Sequence, residues 1–272
     1  MNARKNWPVT ILIALGSLFI LFPLYIAISI ALKTPEETAA SVLSFPAVFH
    51  FENFVKAIEV TNFFAAFKNS AFITVLTVVF TILTNSMVAY AIARNLHKKF
   101  FKGLYYYFIG ALFIPFPIIM LPVVKLTSGL GMTNPGGLAF LYIVYGMAFN
   151  TFIYVGYIRS IPIELEEAAI VDGCSTWGVF WRVIFPLLTP INATIAILTC
   201  LWAWNDFMLP LIILNDPADS TLPLVQYIFQ SEFGTDYNLA FASYILALSP
   251  MVIVYIFAQR WIIGGVLRGA IK

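Results

Sequence analysis

Long apolar stretches separated by short polar segments dominate the pattern of the chain. Six are charge-free, or carry one late charge: Asn6–Leu32, Asn69–Ala93, Gly103–Val124, Leu138–Ile158, about Pro190–Leu214 and Tyr237–Gln259. A helix needs about 20 residues to cross a hydrocarbon core of about 30 Å, and a backbone inside lipid must satisfy its own hydrogen bonds. The pattern therefore predicts an all-α membrane protein with six transmembrane helices.

Two of these spans carry features that qualify the simple pattern. The third contains Pro115, Pro117 and Pro122, which predict kinks because proline removes a backbone donor. The first follows Arg4 and Lys5, as a secretory signal would, but its apolar run is longer than the 7–15 residues typical of a signal peptide. We therefore expect a retained helix at the N-terminus.

The distribution of lysine and arginine predicts the orientation of the spans. With the N-terminus inside, the inside segments hold eleven of these residues and the outside segments only four, Lys33, Lys56, Lys68 and Lys125. Cytoplasmic loops carry the excess of Lys and Arg. The sequence therefore predicts an N-in, C-in topology in a cell membrane of the bacterial plasma-membrane type, with long outside segments at Lys33–Lys68 and Asn215–Asp236 that are either partner surfaces or solvated loops.

Composition supports a membrane protein and excludes several other classes. Of the 272 residues, 61% are hydrophobic and only 10% are charged, against about 25% charged in soluble domains. The basic residues are scattered, so no nucleic-acid partner is expected. Cys174 and Cys200 are read as unpaired thiols, and His50 and His97 are isolated, so no metal site is expected.

The inside segment Arg159–Thr189 is unusually organised for a connecting loop. Three carboxylates, Glu164, Glu166 and Glu167, follow Pro162 and suit the N-terminus of a helix. Asp172-Gly173 supplies a stop, since glycine takes the left-handed conformation that ends many helices. These signals predict a short helix of about Ile163–Val171 that is too polar to lie in lipid.

A second, amphipathic helix is predicted in the same loop. Its apolar residues recur at helical spacing on one face: Trp177, Phe180, Trp181, Ile184, Phe185 and Leu188. Such a helix would lie along the inner membrane interface before Pro186 and Pro190 turn the chain into the fifth span. The alternative is a plain linker between two spans.

The loop resembles the EAA loop of ABC importer permeases. The resemblance rests on Glu167-Ala168-Ala169, then Asp172-Gly173, Phe180 and Pro186 to Pro190, with Cys174 departing from the small residue usual there. It implies a type I ABC importer transmembrane domain, residues 1–272 as one membrane domain, a core at 69–259 and a coupling loop at 159–189. It also implies that Glu164, Glu167, Ala168, Ala169, Asp172 and Gly173 meet an ATPase subunit.

Two other segments are similar to the maltose-type, or multiple-sugar, branch of these permeases. They are Trp204-Asn205-Asp206-Phe207 with Pro210-Leu211, and the tail from Gln259-Arg260-Trp261 to Lys272. The resemblance implies a heterodimer with a related second permease, two ATPase subunits inside and a sugar-binding protein outside. It further implies a non-catalytic chain that binds no cofactor, with ATP and Mg on the ATPases, and this chain indeed lacks the G-x-x-x-x-G-K-[ST] loop of an ATPase.

Several polar and aromatic side chains within the spans are candidates for the substrate pathway. They are Asn150, Trp202, Trp204, Asn205 and Asp206. A carboxylate near a span is a functional candidate by default, and aromatic and amide groups suit a sugar. The alternatives are a Trp anchor at the interface, an Asp bonded to a neighbouring helix or facing water, and an Asn that bonds helix to helix.

The remaining alternatives belong to other transport classes. A secondary transporter usually shows intramembrane ionisable residues and repeated broken helices, whereas this chain has one marginal carboxylate and no repeat. A channel subunit stays open on composition alone, but would not need an ordered loop of the EAA type. The expected substrate is an oligosaccharide, for example an α-galactoside such as raffinose, although the sequence does not specify which sugar.

Overall fold

The protein is helical throughout the residues that its structure, a computed structural model, describes. These are residues 7–227, 229 and 236–270, without the side chains of residues 258 and 260–270. No β-strand occurs in that part of the chain. Some charges used to predict the orientation, namely Arg4, Lys5, Lys272 and the side chains of Arg260 and Arg268, lie outside the description.

The helices of the first half include the first two predicted spans and two helices in place of the third. They are α1 (Trp7–Ala31), α2 (Pro35–Ala40), α3 (Glu52–Val60), α4 (Phe63–Phe80), α5 (Ser86–Arg94), α6 (Lys99–Ala111) and α7 (Phe116–Gly129). A π-helical segment, Thr81–Asn85, joins α4 to α5. The continuous helix Phe63–Arg94 is therefore one long apolar element with a widened turn in its second half.

The second half of the described chain contains shorter elements around two long helices. They are α8 (Pro135–Ile158), α9 (Glu164–Val171), α10 (Thr176–Val179), α11 (Phe185–Leu187), α12 (Thr189–Asn205), α13 (Met208–Ile213), α14 (Leu222–Val225) and α15 (Tyr237–Ala270). A second π-helical segment, Phe180–Ile184, links α10 to α11, and Pro217–Asp219 forms a 3₁₀ turn.

Four to six elements are long and apolar enough to cross a membrane among the described residues. Four are single helices: Trp7–Ala31, Phe63–Arg94, Pro135–Ile158 and Tyr237–Phe257. Two more are bent pairs, α6 with α7 at 107° and Thr176–Leu187 with α12 at 74°. The count of six therefore holds only if each bent pair is one span.

The third predicted span is a broken element instead of one kinked helix. Helix α6 ends at Ala111 in a tight turn in which the amides of Leu112, Phe113 and Ile114 each donate three residues back. Pro115 then takes an extended conformation at the start of α7. Proline cannot donate and disfavours helical geometry in the residue before it, so the proline pair Pro115 and Pro117 ends one helix and begins another.

Contacts divide the chain into two compact units, and the first combines residues up to Ala66 with Leu224–Val252. Its core is small: Ala31, Ala57 and Ala242, covered by Phe54, Phe241, Ile245 and Leu246. Nearly all side chains of α1 before Ser29 are exposed although they are apolar. A helix that is apolar on every side and exposed suits lipid or another membrane subunit better than water.

The second unit, Phe67–Pro223 with the chain after Val252, holds the larger core. Helix α8 packs against α5, α6 and the π-helical segment Thr81–Asn85. The buried residues come from α5, α8, the loop after α8 and α12: Ala89, Ile92, Tyr154, Val155, Ile158, Ile161, Ala169, Val179, Phe180, Ile184, Leu188 and Ile195. The loop predicted to be functional is thus built into the core of this unit.

Candidate functional site

Helix α9 ends in a Schellman motif, as the Asp-Gly pair predicts. Gly173 has φ +87°, its amide donates to the carbonyl of Ile170 at 2.9 Å, and the amide of Cys174 donates to the carbonyl of Ala169 at 2.9 Å. These two bonds satisfy carbonyls that a helix end otherwise leaves open. The prediction for Gly173 is confirmed, and the loop reverses sharply after α9.

The N-terminus of α9 differs slightly from the prediction. The helix begins at Glu164, one residue after the predicted start at Ile163, and the carbonyl of Ile163 accepts the amides of Glu166 and Glu167 at 2.9 and 3.1 Å. No side chain caps this end. The three carboxylates Glu164, Glu166 and Glu167 therefore lie in the first turn, where the helix dipole favours negative charge.

Only some of the residues predicted to meet an ATPase face outward from this chain. Glu164, Glu167, Ala168 and Asp172 are exposed, whereas Ala169 is buried in the chain's own core. Ala169 therefore holds α9 to the rest of the unit. Glu164, Glu167, Ala168 and Asp172 present three carboxylates and a methyl group on one accessible surface, and Gly173 at the helix end is exposed as well.

Apolar side chains extend this accessible surface of α9. Ile170 and Val171 are both exposed, Val171 at 87%, and Trp177 of α10 is exposed too. The accessible surface of α9 therefore combines carboxylates with apolar side chains.

The predicted amphipathic helix is divided by the π-helical segment Phe180–Ile184. Phe180, Ile184 and Leu188 are buried, while Trp177 and Trp181 are exposed. One apolar stripe therefore serves two surfaces, the chain's own core and an outer face. The 74° bend between Thr176–Leu187 and Thr189–Asn205 confirms that the chain turns near the prolines Pro186 and Pro190.

A buried ion pair fixes the first turn of α9. The carboxylate of Glu166 accepts Nε of Arg94 at 2.6 Å on one oxygen and the hydroxyl of Tyr90 at 2.7 Å on the other. Nη2 of Arg94 also donates to the carbonyl of Ile161 at 3.1 Å. The side chains of Arg94 and Glu166 are only 15% and 8% exposed, so the pair lies largely out of water.

No sequence motif marks Arg94, Tyr90 or Glu166 as a site residue. Glu166 stands out only as one of three carboxylates near a helix N-terminus. A weak signal was available, since an arginine that ends an apolar helix has few exposed partners and must find one nearby. The separation of 72 residues between Arg94 and Glu166 could not be bridged from one sequence.

Of the pathway candidates, Asp206 is engaged by groups of this chain. Its carboxylate accepts the hydroxyl of Tyr142 at 2.8 Å and the amides of Met208 and Leu209 at 3.1 and 3.3 Å. It thereby ends α12, begins α13 and bonds to α8. The geometry favours the alternative in which Asp206 bonds to a neighbouring helix.

Asn150 and Trp202 line a common cavity of about 360 Å³, which lies at the small end of the range of about 300–1,000 Å³ for small-molecule sites. Its wall is completed by Tyr145, Gly146, Phe149, Leu198 and Thr199. Trp202 packs edge-to-face on Tyr142, with ring centroids 4.9 Å apart. The cavity joins aromatic surface to an amide and two hydroxyls.

The last two candidates lie outside this cavity. Trp204 is buried and its ring packs on that of Phe67 at 5.9 Å. The side chain of Asn205 donates to the carbonyl of Leu201 at 2.7 Å, within its own helix. Within the described residues, no group of His, Cys, Asp and Glu side chains could hold a metal ion.

The chain belongs to the family described as binding-protein-dependent transport system inner membrane component, whose sequence profile matches residues 85–268. It is 39% identical over 265 residues to the multiple sugar-binding transport system permease protein MsmG of Streptococcus mutans, covering 96% of this chain and 95% of the relative. It is 33% identical over 266 residues to the melibiose/raffinose/stachyose import permease protein MelC of Bacillus subtilis, covering 97% and 96%.

Solved structures share the fold. A bacterial ABC transporter involved in the import of the acidic polysaccharide alginate matches with a TM-score of 0.77 at 20% identity, over 96% of this chain and 98% of that one. The alginate transporter in complex with an alginate pentasaccharide-bound periplasmic protein matches with a TM-score of 0.70 at 19% identity, over 94% of each chain. The protein is a multi-pass membrane permease subunit of an ABC transporter.

Proposed function

We propose that this chain is one permease subunit of an ATP-driven importer for a sugar, an oligosaccharide of the α-galactoside type being the first candidate. Relatives named for multiple sugars and for melibiose, raffinose and stachyose support the substrate class. In this proposal residues 1–272 form one membrane domain with its core at 69–259. A related second permease, two ATPase subunits that bind ATP and Mg, and an external sugar-binding protein complete the machine.

The observation that carries the proposal is helix α9. It is short, it is fixed at its start by a buried ion pair and at its end by a Schellman motif, and its outer face combines Glu167, Ala168 and Val171. A linker would not need both ends fixed. In the proposal, segment 159–189 is the coupling loop, and the outer face of α9 docks in a groove of an ATPase subunit.

Two substitutions test the docking. Glu167→Lys reverses an exposed charge that would meet a cationic partner, and we expect it to release the ATPase or to abolish sugar-stimulated hydrolysis. Gly173→Val forces a β-branched residue into a left-handed conformation, at a cost of about 1–2 kcal/mol, although an added Cβ would meet no atom within 4 Å. Gly173→Asn is the matched control, because asparagine tolerates that conformation.

Reconstituted complexes decide between a coupling loop and a linker. ATPase retention during purification and sugar-stimulated hydrolysis are measured for each variant. Wild-type values for both Glu167→Lys and Gly173→Val would overturn the assignment of the coupling loop.

The cavity beside Asn150 and Trp202 is the proposed place where this chain contacts sugar. Gly146 lines it, and a Cβ there would lie 3.0 Å from Nδ2 of Asn150. We expect Gly146→Leu to fill the cavity and lower the rate of sugar uptake, whereas Gly156→Leu on the same helix, where a Cβ meets nothing within 4 Å, should not. Equal uptake by the two variants would place the sugar site elsewhere, in the partner permease.

The proposed orientation is N-in and C-in. Single cysteines at Lys99 and at Asp219, in a background without Cys174 and Cys200, would be treated with an impermeant reagent on intact cells. We expect labelling at position 219 and protection at position 99, and the reverse pattern would invert the topology. The family assignment leaves a secondary transporter or a channel subunit without a supporting observation.

A further inference from the structure

Tyr90 and Arg94 together contact three parts of the coupling loop, residues 159–189. Arg94 holds Glu166 in α9 and, through Nη2, the carbonyl of Ile161 just before α9. Tyr90 holds the other oxygen of Glu166, and its ring packs on Phe180 after α9 with centroids 5.4 Å apart. Ile161 before α9, Glu166 in its first turn and Phe180 after it therefore all contact one end of the span Phe63–Arg94.

These contacts are directional as well as strong. The guanidinium of Arg94 donates from two different nitrogens to acceptors on different residues, and both carboxylate oxygens of Glu166 are occupied. Such a fork fixes the relative orientation of its partners, unlike apolar packing, which permits sliding. Little water reaches the pair, so its interactions are screened less than those of a surface pair.

We propose that Tyr90, Arg94 and Glu166 form a coupling clamp that makes α9 and the end of the span Phe63–Arg94 move as one rigid piece. The inference rests on the proposed function of α9. When the docked ATPase shifts α9, the clamp carries the displacement directly to a membrane span. The three residues are positioning residues, since they touch neither sugar nor nucleotide.

A merely structural role for the clamp makes a different prediction. A buried ion pair can often be replaced by apolar residues of similar size without loss of stability. If the pair only holds the fold together, such a replacement restores everything. If its directional bonds transmit motion, the replacement restores assembly but not the transmission.

The triple variant Tyr90→Phe, Arg94→Met, Glu166→Leu makes that replacement. The full importer, with both permeases and both ATPases, is reconstituted in proteoliposomes, and the sugar taken up per ATP hydrolysed is measured beside the thermal stability of the complex. We expect stability close to wild type and a fall of about fivefold or more in sugar per ATP. A wild-type ratio in a stable triple variant would overturn the clamp.

A second variant decides the matter if the triple variant does not assemble. Tyr90→Phe removes one hydroxyl and leaves the Arg94–Glu166 pair in place, and we expect a smaller fall in sugar per ATP with unchanged ATPase retention. An unchanged ratio for Tyr90→Phe would then overturn the proposal. Tyr107→Phe, on the exposed face of α6, and Lys99→Met, at the exposed start of that helix, are matched controls with wild-type ratios.

Failure of the clamp and failure of the coupling loop give different results. Clamp variants keep the ATPases bound and their sugar-stimulated hydrolysis but take up less sugar per ATP, whereas Glu167→Lys releases the ATPases or abolishes sugar-stimulated hydrolysis. If Glu167→Lys and Gly173→Val behave as wild type, the assignment of the coupling loop fails whatever the clamp variants show. If Glu167→Lys and Gly173→Val lose docking or stimulated hydrolysis but the triple variant takes up a wild-type amount of sugar per ATP, only the clamp proposal is wrong.

Discussion

Each of the two units of the chain buries a cation, and the two cations are satisfied in opposite ways. Arg94 in the second unit faces the carboxylate of Glu166. Lys33 in the first unit is 0% exposed, and its Nζ donates to the carbonyls of Ser41 and Val42 at 3.0 and 3.4 Å and to the hydroxyl of Ser44 at 3.1 Å. No carboxylate forms a salt bridge with Lys33 among the residues that the structure describes.

The difference follows from the shapes of the two side chains. A guanidinium is a planar fork that can join two separate acceptors in fixed directions, while an ammonium is a compact charge that gathers acceptors around itself. Arg94 accordingly joins elements 72 residues apart, and Lys33 collects a loop that begins eight residues later. Arg94 links a span to a helix distant in sequence, whereas Lys33 holds the segment that follows α1 against the end of α1.

The groups that form the described hydrogen bonds with Lys33 are neutral. Its carbonyl accepts the side-chain amides of Asn53 and Asn238, each at 2.9 Å. Asn238 also donates to the carbonyl of Ile30 at 2.8 Å and to the hydroxyl of Thr38 at 2.8 Å. This hydrogen-bond network fixes the end of α1 to the start of α15 without a counter-charge. Removal of the cation therefore leaves no buried opposite charge without a partner.

The largest effect on stability is expected from Arg94→Met. The change leaves the carboxylate of Glu166 buried without its cation, which should cost about 3–5 kcal/mol. Arg94→Met combined with Glu166→Leu should recover most of that loss, because both charges are gone. Thermal unfolding of the detergent-solubilised complex measures both. A double variant as unstable as the single one would mean that the charges were not the cause.

A smaller loss is expected from Lys33→Met. The methionine can fill the space of the lysine stem, but the carbonyls of Ser41 and Val42 lose their donor, at about 1–3 kcal/mol in all. Lys56→Met, at an exposed lysine of the same unit, is the control and should change little. If Lys33→Met proved as costly as Arg94→Met, the contrast between the two cations would be invalid.

Asn238→Leu should cost less again, about 1 kcal/mol. The carbonyl of Lys33 keeps its bond from Asn53, so chiefly the carbonyl of Ile30 and the hydroxyl of Thr38 lose a partner. The same unfolding assay measures the loss. If the stability losses of Asn238→Leu and Lys33→Met were strictly additive in the double variant, the hydrogen bonds around Lys33 would be independent of one another rather than one cooperative network.

The smallest effect concerns an exposed pair in the first unit. Nδ1 of His50 lies 2.6 Å from Oε1 of Glu52, and this hydrogen bond lowers the pKa of the Glu52 carboxyl below its ordinary value of about 4.5. A carboxyl with a lowered folded-state pKa stabilises the fold above that ordinary value and loses the contribution as pH falls through the folded-state pKa.

Unfolding of wild type and Glu52→Gln across an acid series tests this pair. The wild type should be slightly the more stable above pH 5 or about that value, and the gap should close on acidification. A gap that widens as the pH falls would contradict the sign. Because this pair is exposed, its contribution to stability should be small, in contrast to the contributions of the two buried cations.

The features that depend on local chemistry were predictable from the sequence. Asp172-Gly173 predicts that α9 ends with Gly173 in a left-handed conformation, and the apolar runs locate the long helices. The 107° break at Pro115 was predicted only as a kink, because the angle depends on what packs against both arms. The bond between Tyr142 and Asp206 joins residues 64 apart and the bond between Tyr90 and Glu166 joins residues 76 apart, and one sequence does not encode such pairs in any local pattern.

The π-helical segment Thr81–Asn85 gives the span Phe63–Arg94 a rotational register. A π turn holds one more residue than an α turn, and each residue of an α-helix turns the chain by about 100°. If that turn tightened without losing a residue, Tyr90 and Arg94 would swing around the helix axis and away from Glu166. Deleting one residue within the turn should therefore leave the facing of Arg94 unchanged, whereas deleting one within Ser86–Arg94 should turn it away.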